Sequence, residues 1–175
     1  MLRERVRKVR LRLCRSPEKR SKFFREAGVK VGQDCNIFGS VQFGSEPYLV
    51  TVGDLVKITT GCSFITHDGG VYVLRNLGLL EDADLFGRIT VGDNVFFGNK
   101  CVIMPGVTIG SNVVVGACSV VTKDIPDDSV VAGIPARKIG TIQEYFEKLE
   151  PRVDFTKHMN PIQKKAYLMA KFSER

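Results

Sequence analysis

From Val91 onward an aliphatic or aromatic residue returns every six positions, at Val91, Phe97, Ile103, Ile109, Val115 and Val121. Glycine follows it at 92, 98, 110 and 116. The fifth position of each hexad is again small or apolar, at Val95, Cys101, Val107, Val113, Ser119 and Ile125. The same frame runs earlier through Val31, Ile37 and Phe43, slips by three residues near Tyr48, and returns through Val52, Ile58 and Phe64. A six-residue period suits neither a 3.6-residue helix nor a long strand of period two. It suits a short extended segment followed by a tight corner, three such sides closing one coil, with coils stacked by parallel strand pairing about 4.8 Å apart. Position one then fills the interior of a prism, and glycine is expected to supply the corner conformation. One coil cannot bury its own apolar face, so stacking is obligatory. The frame predicts an all-β core, a parallel β-helix with coils at 31–48 and 52–68, then 91–108 and 109–126.

Outside the frame the periodicity turns helical. Leu2, Val6, Val9 and Leu13 form an apolar stripe among arginines, which predicts a helix over 2–15. Ser16-Pro17-Glu18 reads as a cap and first turn of a short helix through Ala27, ended by Gly28. Residues 69–88 are an excursion from the repeat. Thr141 to Leu149 predicts one helix, and a second begins at about Pro161. The expected organisation is a basic helical segment over 1–28, a β-helix domain over 29–136 and a helical segment over 137–175.

Composition adds little until it is placed along the chain. At 175 residues the length fits one domain. The net charge of +7 is concentrated: residues 1–30 hold twelve Lys/Arg against three Glu, which leaves the remainder slightly acidic. The scaffold is therefore not a basic surface, and no nucleic-acid partner is expected. Residues 2–25 combine an apolar stripe with arginines. That suits peripheral contact with an anionic membrane, or equally a solvated helix that stabilises an assembly. No apolar run approaches the ~18 residues of a membrane span, and the N-terminus lacks the apolar stretch of a signal peptide, so a cytoplasmic location is expected, at most peripheral to the inner membrane face. The five cysteines show no zinc-ligand spacing, so no metal is expected. Cys35, Cys62 and Cys101 share the fifth hexad position and read as buried packing residues.

Candidate chemistry centres on one residue. His67 stands in Phe64-Ile65-Thr66-His67-Asp68-Gly69-Gly70, where the repeat breaks, and the only other histidine, His158, lies in the tail. An imidazole where a loop leaves a regular scaffold is well placed for a general base. A loop histidine bonded to nearby backbone is the plainer alternative. Cys62, five residues earlier, raises a Cys–His nucleophile pair, but its hexad position points inward. Asp68 either orients the imidazole, contacts an acceptor, or simply makes the Asp-Gly-Gly turn.

The stretch Ile-Thr-Val-Gly-Asp-Asn-Val-Phe-Phe-Gly from Ile89, with Pro-Gly-Val-Thr-Ile-Gly, Val-Val-Thr-Lys-Asp-Ile-Pro and Val-Val-Ala-Gly-Ile-Pro-Ala-Arg-Lys, closely resembles the hexapeptide-repeat acetyltransferases. It is similar to galactoside and maltose acetyltransferases and to the sugar O-acetyltransferases of surface-polysaccharide clusters. The resemblance covers about residues 28–140. It implies a left-handed β-helix, whereas the general rule for parallel crossovers is right-handed. It also implies a homotrimer with an acetyl-CoA cleft between subunits, and a loop excursion that helps build the neighbouring site.

By the same resemblance His67 matches the family's catalytic histidine. It would accept the proton of an acceptor hydroxyl as that oxygen attacks the acetyl-CoA thioester, with no acyl-enzyme. Gly116-Ala117-Cys118-Ser119-Val120-Val121-Thr122-Lys123-Asp124 matches the family's cofactor stretch. This implies Ala117 against the pantetheine arm, Thr122 and Lys123 along the cofactor, and Arg137 near its 3′-phosphate. Cys118 replaces the usual glycine, and Asn99 would offer its backbone amide to the cofactor. The implied activity is acetyl transfer to a sugar hydroxyl in polysaccharide or glycoconjugate synthesis. Transfer to an amino sugar or antibiotic, or a catalytically inert assembly module, are the alternatives, and the acceptor's identity is not legible in the residues.

Overall fold

The computed structural model describes Cys14 and residues 16–173. The helix expected over 2–15, and with it most of the segment suited to membrane contact, lies outside the described residues. Those residues fall into two compact units, one running to Gln143 and the other starting at Glu144.

In the first unit the hexads become short strands distributed over three sheets. One sheet, here A, holds β1 (Lys30–Val31), β3 (Val50–Val52), β6 (Ile89–Val91) and β9 (Thr108–Ile109). Sheet B holds β2 (Asn36–Ile37), β4 (Lys57–Ile58), β7 (Val95–Phe97), β10 (Val113–Val115), β12 (Ser129–Gly133) and β13 (Ala136–Thr141). Sheet C holds β5 (Ser63–Phe64), β8 (Val102–Ile103) and β11 (Val120–Val121). From β3 to β11 the chain passes A, B, C and back to A, and strands of successive coils pair in parallel. The excursion does not disturb the register, since Val50 pairs with Ile89 and Val52 with Val91 across it. A further partial coil follows the four predicted: Ile125 bridges Ile109, and Val130 pairs with Val114.

The repeated positions face inward as expected. Ile37, Ile58, Phe97, Ile103 and Val115 are inaccessible, and so are Cys62, Val95, Cys101 and Val113 at position five. Phe43, Phe64 and Phe97 run up the interior with centroid spacings of 4.9 and 5.5 Å. Helix α1 (Pro17–Glu26) closes the lower end, capped by the Ser16 hydroxyl, which accepts from the Lys19 amide. Its Phe24 continues the aromatic column 5.0 Å from Phe43.

The expected role of the repeat glycines is corrected by their geometry. Gly92, Gly98, Gly110 and Gly116 do not carry positive φ; that conformation falls instead on Asp34, Leu55, Asn94, Lys100, Asn112, Cys118 and Asp128. The glycines are needed because coils touch there. A Cβ on Gly98 would lie 2.4 Å from the Ala117 amide nitrogen, and one on Gly53 2.7 Å from the Gly92 carbonyl oxygen.

A second difference concerns residues 137–141, expected to be helical. They belong to β13, which turns back antiparallel on β12 after Ile134-Pro135. Helical structure starts with α3 (Ile142–Leu149). α2 (Val71–Asn76) lies within the excursion. In the second unit α4 (Pro161–Ser173) opens on a capping box: Asn160 Oδ1 accepts from the amides of Ile162 and Gln163, and Gln163 Oε1 accepts from that of Asn160. Among the described residues no helix is long and apolar enough to cross a membrane.

Candidate active site

Each coil has three corners, and the sequence-predicted residues distribute over two of them. His67 follows β5 at the corner between sheets C and A, and Thr122 and Lys123 follow β11 at the same corner two coils later, roughly 10 Å along the stack. Asn99 and Ala117 sit at the corner between sheets B and C, one above the other, where the Cys118 amide donates to the Asn99 carbonyl at 2.8 Å. Sheet C separates these two corners. A six-residue side at ~3.3 Å per residue is close to 20 Å long, so one chain does not bring His67 to the Asn99–Ala117 corner. Arg137 comes from β13 and lines a cavity of about 240 Å³ together with Lys123 and Lys138. These three cations outnumber the one carboxylate of the lining, Asp124, and suit a polyphosphate.

His67 is held firmly at the foot of the excursion. It forms an antiparallel bridge with Phe86, the Asp68 amide donates to the Leu85 carbonyl at 2.8 Å, and the Gly87 amide donates to the Thr66 carbonyl at 2.9 Å. The two feet of the excursion are thereby zipped together, and the Phe86 ring stands edge-on to the imidazole at 6.3 Å. The imidazole itself is 45% exposed. Asp68 makes a local turn, its Oδ1 accepting from the Gly70 amide at 2.8 Å. Cys62 is fully buried and its thiol donates to the Gly98 carbonyl, so it does not share a cleft with His67.

The carboxylate beside His67 is one that the sequence reading did not assign. Glu46 Oε2 lies 3.2 Å from His67 Nδ1, and Ser45 Oγ lies 3.3 Å from the same nitrogen. The buried Thr66 hydroxyl donates to Glu46 Oε2 at 2.7 Å. That bond, with the Ser45 hydroxyl next and the imidazole after it, holds the Glu46 carboxyl below the usual glutamate range. The repeat frame carried the signal. Glu46 is the third residue after Phe43, as His67 is the third after Phe64, and the bridge from Gln42 to Ser63 sets those two coils in register.

Comparison with known proteins bears on this geometry. The family model described as bacterial transferase hexapeptide (six repeats) matches residues 88–123. Protein CapG of Staphylococcus aureus is 48% identical over 153 residues, which span 86% of this chain and 87% of CapG. A hexapeptide-repeat-containing acetyltransferase of Vibrio cholerae, solved in complex with acetyl coenzyme A, superposes with a TM-score of 0.63 at 27% identity, covering 77% of this chain and 82% of its own. A galactoside acetyltransferase solved in complex with coenzyme A gives a TM-score of 0.60 at 30% identity, covering 83% of this chain and 82% of its own.

Proposed function

The chain belongs to the bacterial hexapeptide-repeat transferases and is by that membership an acetyltransferase; on that premise we propose that it moves an acetyl group from acetyl-CoA to a sugar hydroxyl. The acceptor class is a polysaccharide or glycoconjugate precursor, in keeping with the galactoside enzyme among its structural neighbours. His67 Nε2 takes the hydroxyl proton while the acceptor oxygen attacks the thioester carbonyl. The tetrahedral oxyanion collapses, the carbon–sulfur bond breaks, and the leaving thiolate recovers the proton from the imidazolium. A backbone N–H at a coil corner is the natural donor to the oxyanion. Lys123 and Arg137 take the phosphates of the cofactor, Thr122 lies along it, and the Asn99 and Ala117 amides meet its pantetheine arm. Asp68, exposed beside His67, contacts the acceptor.

The observation that carries this reading is an exposed imidazole, clamped by backbone bonds, where the long excursion leaves the repeat. The separation of His67 from the Asn99–Ala117 corner supports an assembly in which two copies complete each site. Accordingly we take the coil to be left-handed and the protein to be a homotrimer, as in the family.

A thiol-release assay with acetyl-CoA and a panel of sugars, amino sugars and nucleotide sugars tests the proposal. Free CoA is expected to accumulate only with a sugar acceptor, and mass spectrometry should find the acetyl group on oxygen. Release with none of the panel, or transfer confined to amines, contradicts it.

A further inference from the structure

We infer that Glu46 is the positioning residue for His67, selecting the imidazole tautomer whose Nε2 is free to accept a proton. The inference rests on His67 being the base.

The local geometry is built for this contact. Gly44, at φ 62°, begins the turn that presents Ser45 and Glu46 one coil before Thr66 and His67. A Cβ on Gly44 would lie 2.5 Å from Thr66 Oγ1, so a larger residue there would displace the hydroxyl that holds the carboxylate. Thr66 is inaccessible, and its only role toward Glu46 is as a donor, since the carboxylate has no proton to return. Ionised Glu46 accepts only, so the proton between it and Nδ1 belongs to His67. Both protein contacts fall on Nδ1, which leaves Nε2 with its lone pair unengaged among the described residues. When the imidazole becomes charged, the adjacent carboxylate balances it. The other carboxylate in this segment, Asp68, is engaged by the Gly70 amide. Glu46 exchanges no proton and touches no reacting atom, so its part is orientation and charge.

Glu46→Gln tests this through a pH profile as well as a rate. The variant is expected to lose roughly 10²-fold or more in kcat, as follows when a base is left in the wrong tautomer, with KM for acetyl-CoA little changed. Removing the negative neighbour makes the imidazolium easier to deprotonate, so the acid limb of kcat/KM should move to lower pH. A purely structural role would lower activity without moving that limb. Nitrogen-15 NMR of histidine-labelled protein gives a readout that leaves Glu46 in place. The chain has two histidines, and His158→Gln assigns the remaining signal to His67. The Nδ1–H form is expected at neutral pH. A dominant Nε2–H form, or Glu46→Gln with wild-type kcat and an unmoved acid limb while His67→Ala is inactive, overturns the inference. Wild-type turnover in His67→Ala overturns the base assignment instead.

Discussion

The corner between sheets A and B and the corner between sheets C and A are built from the same six-residue frame, yet they do different work. At the first, every coil repeats the one before. The side chain of Asp54 accepts from the Gln33 amide, Asp93 from the Asp54 amide, Ser111 from the Asp93 amide and Asp127 from the Ser111 amide, at 2.7 to 3.0 Å. A second rail, Asn94 to Asn112 to Asp128, runs beside it through side-chain amides. At the other corner the repetition stops. Glu46 lies beside His67, an excursion leaves immediately after, and two coils later the corner carries Thr122 and Lys123. Regular stacking satisfies backbone amides and holds the prism together, and reactive groups gather where one corner is released from it.

If this division is right, damage to the stack should cost stability and damage to the broken corner should cost turnover. The largest stability loss is expected from Phe97→Ala, which removes an inaccessible ring from the aromatic column. A cost of about 3–5 kcal/mol by denaturant titration is in the range for such a truncation. Gly98→Ala comes next, because its Cβ would meet backbone and not a movable side chain. It should lose about 1–3 kcal/mol as an overpacked contact. Gly106, where a Cβ meets nothing, should tolerate alanine at a cost limited to its φ of 84°, about 1–2 kcal/mol. A reversed order for these two glycines would break the account of coil contact.

Smaller effects sharpen the same contrast. Asn112→Ala removes the middle rung of an exposed rail and should lower stability by about 0.5–1.5 kcal/mol with unchanged turnover. The smallest expected effect is a pH dependence. Because the Glu46 carboxyl is held below its ordinary value in the folded chain, its stabilisation is complete above the unfolded glutamate pKa. It is lost as pH falls through the lowered folded value. The difference in melting temperature between wild type and Glu46→Gln should therefore be present near neutrality and vanish on acidification. A difference that persisted unchanged at acid pH would contradict a carboxylate held ionised by the Thr66 and Ser45 hydroxyls.

The frame was legible because volume and apolarity recur with a period that no helix shares, and inward positions such as Ile37, Ile58, Phe97, Ile103 and Val115 follow it. Glycine misled in detail. Its recurrence suggested a backbone conformation, whereas the cause is the closeness of the next coil, and a contact between residues far apart in sequence has no local signature. Asn94, Asn112 and Asp128 take the positive φ because short polar side chains tolerate it. β13 went unread for a related reason, since Ala136 to Thr141 pair antiparallel with β12 and so leave the hexad. His67 was visible as a break in a pattern. Glu46 was not, since a carboxylate in a turn is unremarkable until the coil register sets it beside an imidazole.

His67→Ala tests the central claim most directly, with turnover, acetyl-CoA affinity and melting temperature measured on one preparation. The account predicts a loss of about 10²–10⁴-fold in kcat, with acetyl-CoA affinity and melting temperature close to wild type. Turnover at the wild-type level, or a collapse of stability in step with activity, would contradict it.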